Sequence, residues 1–278
     1  MVNGFKPATL DEALALLRDT KAVPYAGGTD LMVENRPGVS YLFIGHLPEL
    51  RRIRTDDTWI RIGAAVTFTQ ALESDLVPAL MKEALSRIAA PAIRNAGTFG
   101  GNIGNGSAKA DTVLIEYVCD ARLRLVSARG ERVLPVQEFY KGRKALDLAE
   151  DELIAEILLP KEGLDNYYYK KVGGRNALAI SRVSFAGLVQ LDGERIRHIA
   201  AGFGAVAPTV LRMRDLEERL EGKTLAQARE MIPEMLCLYG ERMELTTGRV
   251  SAEYRKSVCL NLLGDFLATL RTSSASPS

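Results

Sequence analysis

The sequence has 278 residues, with 36 Lys and Arg against 35 Asp and Glu, 47% hydrophobic residues and 26% charged ones. These are globular values, so disorder is excluded as the main state, and a formal net charge of +1 excludes a nucleic-acid binder that works by bulk charge, which needs a basic surplus. Cys119, Cys237 and Cys259 form no CxxC pair and His46 and His198 are isolated, so this chain alone offers neither a zinc ribbon nor an iron–sulfur ligand set.

The N-terminus, MVNGFKPATL, has no apolar signal region, and no run of about 18 apolar residues occurs anywhere. The expectation is a cytoplasmic protein with reduced cysteines and no membrane insertion. Thr9-Leu10-Asp11-Glu12 has the pattern of a capping box, and Leu10, Ala13, Leu14 and Leu17 then share one face of the predicted helix. Residues 22–25 read as a short strand stopped by Gly27-Gly28, residues 41–44 as a second strand, and residues 59–62 as a third. Residues 67–72 and 77–88 read as helices, the latter ending before Pro91.

Residues 96–111 differ in texture. Gly97, Gly100, Gly101, Gly104 and Gly106 leave few side chains there to build a core. Strands follow at 122–127, 132–136 and 153–159, with Gly130 marking the hairpin turn between the first two. Pro160-Lys161-Glu162-Gly163 reads as a boundary. Beyond it, residues 167–172, 183–191 and 195–205 read as three antiparallel strands, with Asp192-Gly193 a tight turn. A helix at 215–221 ends at Gly222, Thr224 to Gln227 forms a second capping box, and a long helix at 251–270 places Val258, Leu262, Phe266 and Leu270 on one stripe. Residues 272–278 form a polar tail.

Two glycine loops carry the chemistry. The first is Ala26-Gly27-Gly28-Thr29-Asp30-Leu31, directly after a strand; the second is Thr98-Phe99-Gly100-Gly101-Asn102-Ile103. Paired glycines permit positive φ and remove the Cβ that would block a ligand, and successive amides in such turns converge into an anion nest. A single Gly-Gly is more often just a turn. Two such loops, each with a threonine and a neighbouring Asp or Asn, fit a grip on the two phosphates of a dinucleotide. Asp111 then reads either as an acceptor for a ribose hydroxyl or as the cap of a helix over 112–117. Gly202-Phe203-Gly204-Ala205-Val206-Ala207 fits G-x-G-x-x-A, but Pro208 follows where a dinucleotide helix would continue, which favours a strand end. No arrangement of nucleophile, base and acid suggests a triad, so the chemistry falls to a bound ligand such as a flavin.

The run Tyr25 to Leu31, the run Ile93-Arg94-Asn95-Ala96-Gly97-Thr98-Phe99-Gly100-Gly101-Asn102-Ile103, and Ser107 and Asp111 together resemble the FAD-binding subunit of molybdenum hydroxylases. Leu47 to Leu50, Ile62 to Thr67, Leu153 to Pro160 and Lys170 to Gly173 extend the similarity over residues 3 to 270. The resemblance implies an α+β fold: a two-subdomain FAD-binding domain of the vanillyl-alcohol-oxidase (PCMH) type over 1–163, then a three-stranded antiparallel sheet with a helical bundle over 164–271. It implies non-covalent FAD, wrapped at its diphosphate by Tyr25, Ala26, Gly27, Gly28, Thr29, Asp30, Leu31 and Met32 and by Thr98, Phe99, Gly100, Gly101 and Asn102. Asp111 matches the family's FAD-contacting acid and Lys170 a lysine near the flavin ring, where a cation favours the reduced cofactor; a solvated strand lysine is the other reading of Lys170. Ile88 and Ile154 match positions lining the cofactor. Two departures stand out: Ala108 follows Ser107 where the family often has proline, and Gly174-Arg175 replaces paired arginines.

The function implied is electron transfer. Substrate would be hydroxylated at a molybdenum (molybdopterin) centre on a large partner subunit, and electrons would pass through [2Fe–2S] clusters on a small partner to FAD and on to NAD+ or another acceptor. Gly104-Asn105-Gly106-Ser107 is like the run in bacterial xanthine dehydrogenase subunits. The alternatives are a subunit of a non-purine hydroxylase (carbon monoxide, aldehyde or N-heterocycle), a self-contained FAD oxidoreductase, and a nucleotide-binding module without redox turnover.

Overall fold

The computed structural model describes residues 4–34, 37–175, 179–248 and 250–271; the expected polar tail lies outside them. The chain forms two compact units. One comprises Met1–Val77, Ile88–Ser107 and Asp120–Lys161, the other Pro78–Arg87, Ala108–Cys119 and Glu162–Ser278.

The first unit holds two sheets. Tyr41–Phe43 is the centre of a small parallel sheet, flanked by Gly4–Phe5 and Val23–Tyr25. Parallel strands need a crossover, and the helix Leu10–Thr20 carries the chain from one flanking strand to the other. Thr9 caps it by accepting the Glu12 amide at 3.2 Å, while the Glu12 carboxylate takes the Ala8 amide at 2.6 Å instead of that of Thr9. The second sheet is antiparallel, in the order Ile53–Thr55, Trp59–Gly63, Leu153–Pro160, Arg122–Ser127, Gly130–Pro135. Its centre, LIAEILLP, is buried almost throughout, as a near-continuous apolar strand should be. The exception proves the electrostatics: buried Glu156 meets Arg54 and Arg124, each at 2.7 Å. Leu42 of the parallel sheet and Val126 and Leu153 of the antiparallel one meet Leu14 and Leu17 of the helix and Leu50 in one hydrophobic cluster.

In the second unit Tyr167–Val172, Val183–Asp192 and Arg195–Gly204 are the expected antiparallel strands, and Gly193 takes the left-handed φ of +58° that the turn requires. A fourth strand, Leu211–Arg212, was not expected, because two residues carry no alternation to read. The G-x-G run ends the Arg195–Gly204 strand: Phe203 enters the core, and a Cβ on Gly202 would lie 2.7 Å from Val118. The helix Asp111–Val118 therefore packs directly on bare backbone. Thr224 forms the expected capping box with Gln227. The helix Ile232–Arg242 is an addition to the sequence reading; Pro233 lies in its first turn, where no amide is needed. Of the stripe expected on the last helix, Phe266 and Leu270 enter the core and Val258 and Leu262 flank it half-buried. Ala252–Thr269 also buries Arg255, Cys259, Leu263 and Leu267. Arg255 can be buried because it donates to the Thr246 carbonyl at 2.9 Å.

Candidate functional site

A cavity of about 370 Å³ lies in the first unit, walled by Val23 and Ile44 beside the parallel sheet and by Leu153 and Ile154 of the antiparallel one. Both glycine segments reach it, but they are built differently.

The first segment leaves the strand Val23–Tyr25 and turns at Gly27-Gly28 into a one-turn helix, Leu31–Glu34. Gly28 has a φ of +68°, and a Cβ on it would strike the Tyr25 ring. A Cβ on Gly27 would run into the Ala96 carbonyl. The loop is held by Ile44 N–H to the Tyr25 carbonyl at 2.9 Å and Met32 N–H to the Gly28 carbonyl at 3.0 Å. The amides of Gly27, Gly28, Thr29, Asp30 and Leu31 themselves donate to no described residue, and all five residues line the cavity. Backbone donors left open in succession form a ready anion cradle.

The second segment differs in that its amides are engaged within the protein. Neither Gly100 nor Gly101 has a positive φ. Thr98 caps a short helix, Phe99–Gly104, by accepting the Gly101 amide at 3.2 Å. The Phe99 amide donates to the Val66 carbonyl at 3.2 Å, that of Gly100 to the Ala64 carbonyl at 2.8 Å, and that of Asn102 to the Thr98 carbonyl at 2.9 Å. With these donors engaged, the segment serves as a smooth wall. Gly100 is glycine because a Cβ there would lie 2.6 Å from the Ala64 Cβ. Asn105 Nδ2 donates to the Asp30 carboxylate at 2.9 Å and ties the two segments together.

Of the residues singled out in the sequence, Ala26, Gly27, Gly28, Thr29, Asp30, Leu31, Thr98, Gly100, Gly101, Asn102 and Ile154 share this cavity. Tyr25 stands behind the loop, edge-on to Tyr41 and Phe43. Met32 is 51% exposed, and Phe99 is buried against Phe68. Half-buried Ile88 gives its carbonyl to Arg94 at 2.8 Å.

Asp111 and Lys170 lie in the second unit. Asp111 does not cap its helix, whose N-cap is Ala110. Its buried carboxylate accepts from Lys171 Nζ at 2.7 Å and from Ser181 Oγ at 2.9 Å. Lys171 also donates to the Arg87 carbonyl at 2.9 Å. Lys170 is exposed, 5.7 Å from the Tyr168 ring centroid. Adjacent lysines look alike by composition, but the period of two that puts Tyr169 inside puts Lys171 inside with it. Burial, followed by the nearby Asp111 charge, pushes the Tyr169 phenol well above its ordinary range. On the same helix as Asp111, Glu116 is fully buried, its oxygens have no hydrogen-bond partner among the described residues, and burial pushes its carboxyl up to about 8.

The family model for the FAD binding domain in molybdopterin dehydrogenase matches residues 1–162, and that for the CO dehydrogenase flavoprotein C-terminal domain matches 167–270. The chain belongs to the FAD-binding medium subunits of the molybdenum hydroxylases. It is 35% identical over 233 residues to the xanthine dehydrogenase FAD-binding subunit of Escherichia coli O157:H7, covering 79% of each chain. To the nicotinate dehydrogenase FAD-subunit of Eubacterium barkeri it is 32% identical over 269 residues, 91% of this chain and 90% of that one. Carbon monoxide dehydrogenase from Hydrogenophaga pseudoflava superposes with a TM-score of 0.87 at 27% identity, covering 95% of both chains. This medium subunit is thus an oxidoreductase component with the mixed α/β FAD-binding fold of that enzyme class, in which molybdopterin and iron–sulfur clusters are carried by partner subunits. The donor set fits the cofactor: five successive open amides are what a diphosphate would need. Among the described residues no helix is long and apolar enough to cross a membrane, and no cluster of acids, histidines and cysteines is placed to hold a metal ion.

Proposed function

We propose that this medium subunit passes electrons, in a xanthine dehydrogenase-like hydroxylase, from the [2Fe–2S] clusters of a small subunit to NAD+. The observation that supports the reading is the run of open amides from Gly27 to Leu31 lining the cavity. FAD bound there supplies a carrier that takes up electrons singly and releases them in pairs. The chain's residues hold and orient it. Amides 27–31 would take the diphosphate, the bare Gly104 backbone would let the cofactor lie close, and Ile154 would keep water from one side. Within the second unit, Asp111 and the Arg87 carbonyl hold the Lys171 ammonium in place, which makes Asp111 a positioning residue for that lysine.

A second reading, a non-purine hydroxylase, is favoured by the longer match to the nicotinate dehydrogenase subunit and the close superposition on carbon monoxide dehydrogenase. Purification of the chain with its natural partners tests both. The account expects a yellow complex that releases FAD on denaturation and oxidises NADH with an artificial dye. Inactivity toward NADH with FAD present would remove NAD+ as acceptor, xanthine turnover separates the two readings, and a colourless folded chain would leave the non-redox module.

A further inference from the structure

We propose that Lys144 is a cofactor-binding residue, its ammonium exchanging Glu34 for the diphosphate gripped by amides 27–31; this rests on the FAD reading above. Among the described residues Lys144 is the one cation lining the cavity, which also presents Asp30, Glu34 and Glu152. A dianion entering such a site must have those carboxylates neutralised. Asp30 accepts from Asn105 at 2.9 Å, and Glu152 pairs with Arg132 at 2.8 Å. Glu34 sits opposite Lys144 at 3.5 Å, a long separation for an ion pair.

The backbone at Lys144 is fixed and its side chain is not. It sits at the tip of the hairpin between Tyr140–Gly142 and Ala145–Leu146, with a left-handed φ of +56°. A non-glycine residue there is strained, and a glycine or asparagine would suit the turn better. The Lys144 amide donates to the Gly106 carbonyl at 3.3 Å, and its Cα would lie 3.0 Å from a Cβ on Gly106, which pins the hairpin to the second glycine segment. The side chain is 61% exposed. A strained turn thus holds a lysine at the rim of an anion cradle, with its ammonium on a partner it can readily leave. An exposed pair of this kind is weak. A diphosphate offers two charges in place of one.

Equilibrium binding of FAD to the flavin-stripped chain, followed by flavin fluorescence in a KCl series, tests this. Lys144→Met keeps the stem and removes the charge. It should weaken FAD binding about 10-fold or more, the scale of one charge-assisted hydrogen bond, with a shallower dependence on KCl. Lys144→Arg should retain most of the affinity, and Glu34→Gln should raise it. An unchanged thermal midpoint for Lys144→Met would show that the loss is not one of folding. Wild-type affinity and salt dependence in Lys144→Met would overturn the inference alone. A wild-type chain that binds no FAD would overturn the reading beneath it, and the inference with it.

Discussion

The two glycine segments of the first unit look interchangeable on paper: each has paired glycines, a threonine, and an Asp or Asn beside it. In the fold they do opposite things. At Gly28 the glycine serves conformation, a φ of +68°, and the amides that follow stay open. At Gly100 it serves contact, a close approach to Ala64, and the amides around it are bonded. One leaves its amides without a described acceptor and the other has them bonded. The difference shows that a glycine pair signals missing Cβ atoms, not the direction of its N–H groups, which depends on what the neighbouring strand and cap accept.

The sharpest way to break this contrast is Gly28→Val. A β-branched side chain in a left-handed position costs about 1–2 kcal/mol in backbone strain alone, and it strikes the Tyr25 ring. The expected result is a chain that retains no flavin after desalting; stoichiometric FAD in a folded Gly28→Val would erase the distinction. Next in size is Asp111→Ala in the second unit, which strands Lys171 in a buried site. Urea titration should show a loss of roughly 3–5 kcal/mol, the usual result of breaking a buried pair. A loss below about 1 kcal/mol would reduce the pair to a surface-like contact.

Glu116, unpaired on the same helix, gives the contrasting case. Its folded pKa of about 8 lies above its ordinary 4.5, so the unfolded chain ionises first. Stability should be full below that lower value, fall by up to about 1.4 kcal/mol per pH unit as pH rises toward 8, and then level off. Glu116→Gln should flatten that fall, and parallel urea midpoints for the two proteins between about pH 5 and pH 8 would contradict it. Gly100→Ala should cost about 1–3 kcal/mol by overpacking against Ala64, visible as a lower thermal midpoint. The smallest effect belongs to Gly101→Ala, where the φ is not positive and only Thr98 Oγ1 comes as near as 3.0 Å. FAD affinity within about 2-fold of wild type is expected, since alanine suits a helix. A loss as large as that in Gly28→Val would restore the second nest.

Much of this was legible in the sequence because it rests on local pattern. The LIAEILLP strand, the Thr9 and Thr224 caps and the Asp192-Gly193 turn each declare themselves within a few residues. What escaped depends on distant partners. Gly100 is explained by Ala64, and Asp111 by Lys171 and Ser181. The short helix Phe99–Gly104 is glycine-rich and has little intrinsic propensity; Thr98 and the bonds to Val66 and Ala64 hold it. That Lys171 rather than Lys170 is the inward-facing lysine was available from strand alternation, with Tyr169 as the buried marker.

Hydrogen–deuterium exchange on peptides covering residues 26–32 and 98–104, with and without FAD, reads the donors themselves. Exchange should slow strongly on FAD binding in the first peptide and change little in the second, whose amides are already bonded. Equal protection of both, or protection confined to the second, would contradict the assignment of the diphosphate to the open amides of Gly27 to Leu31.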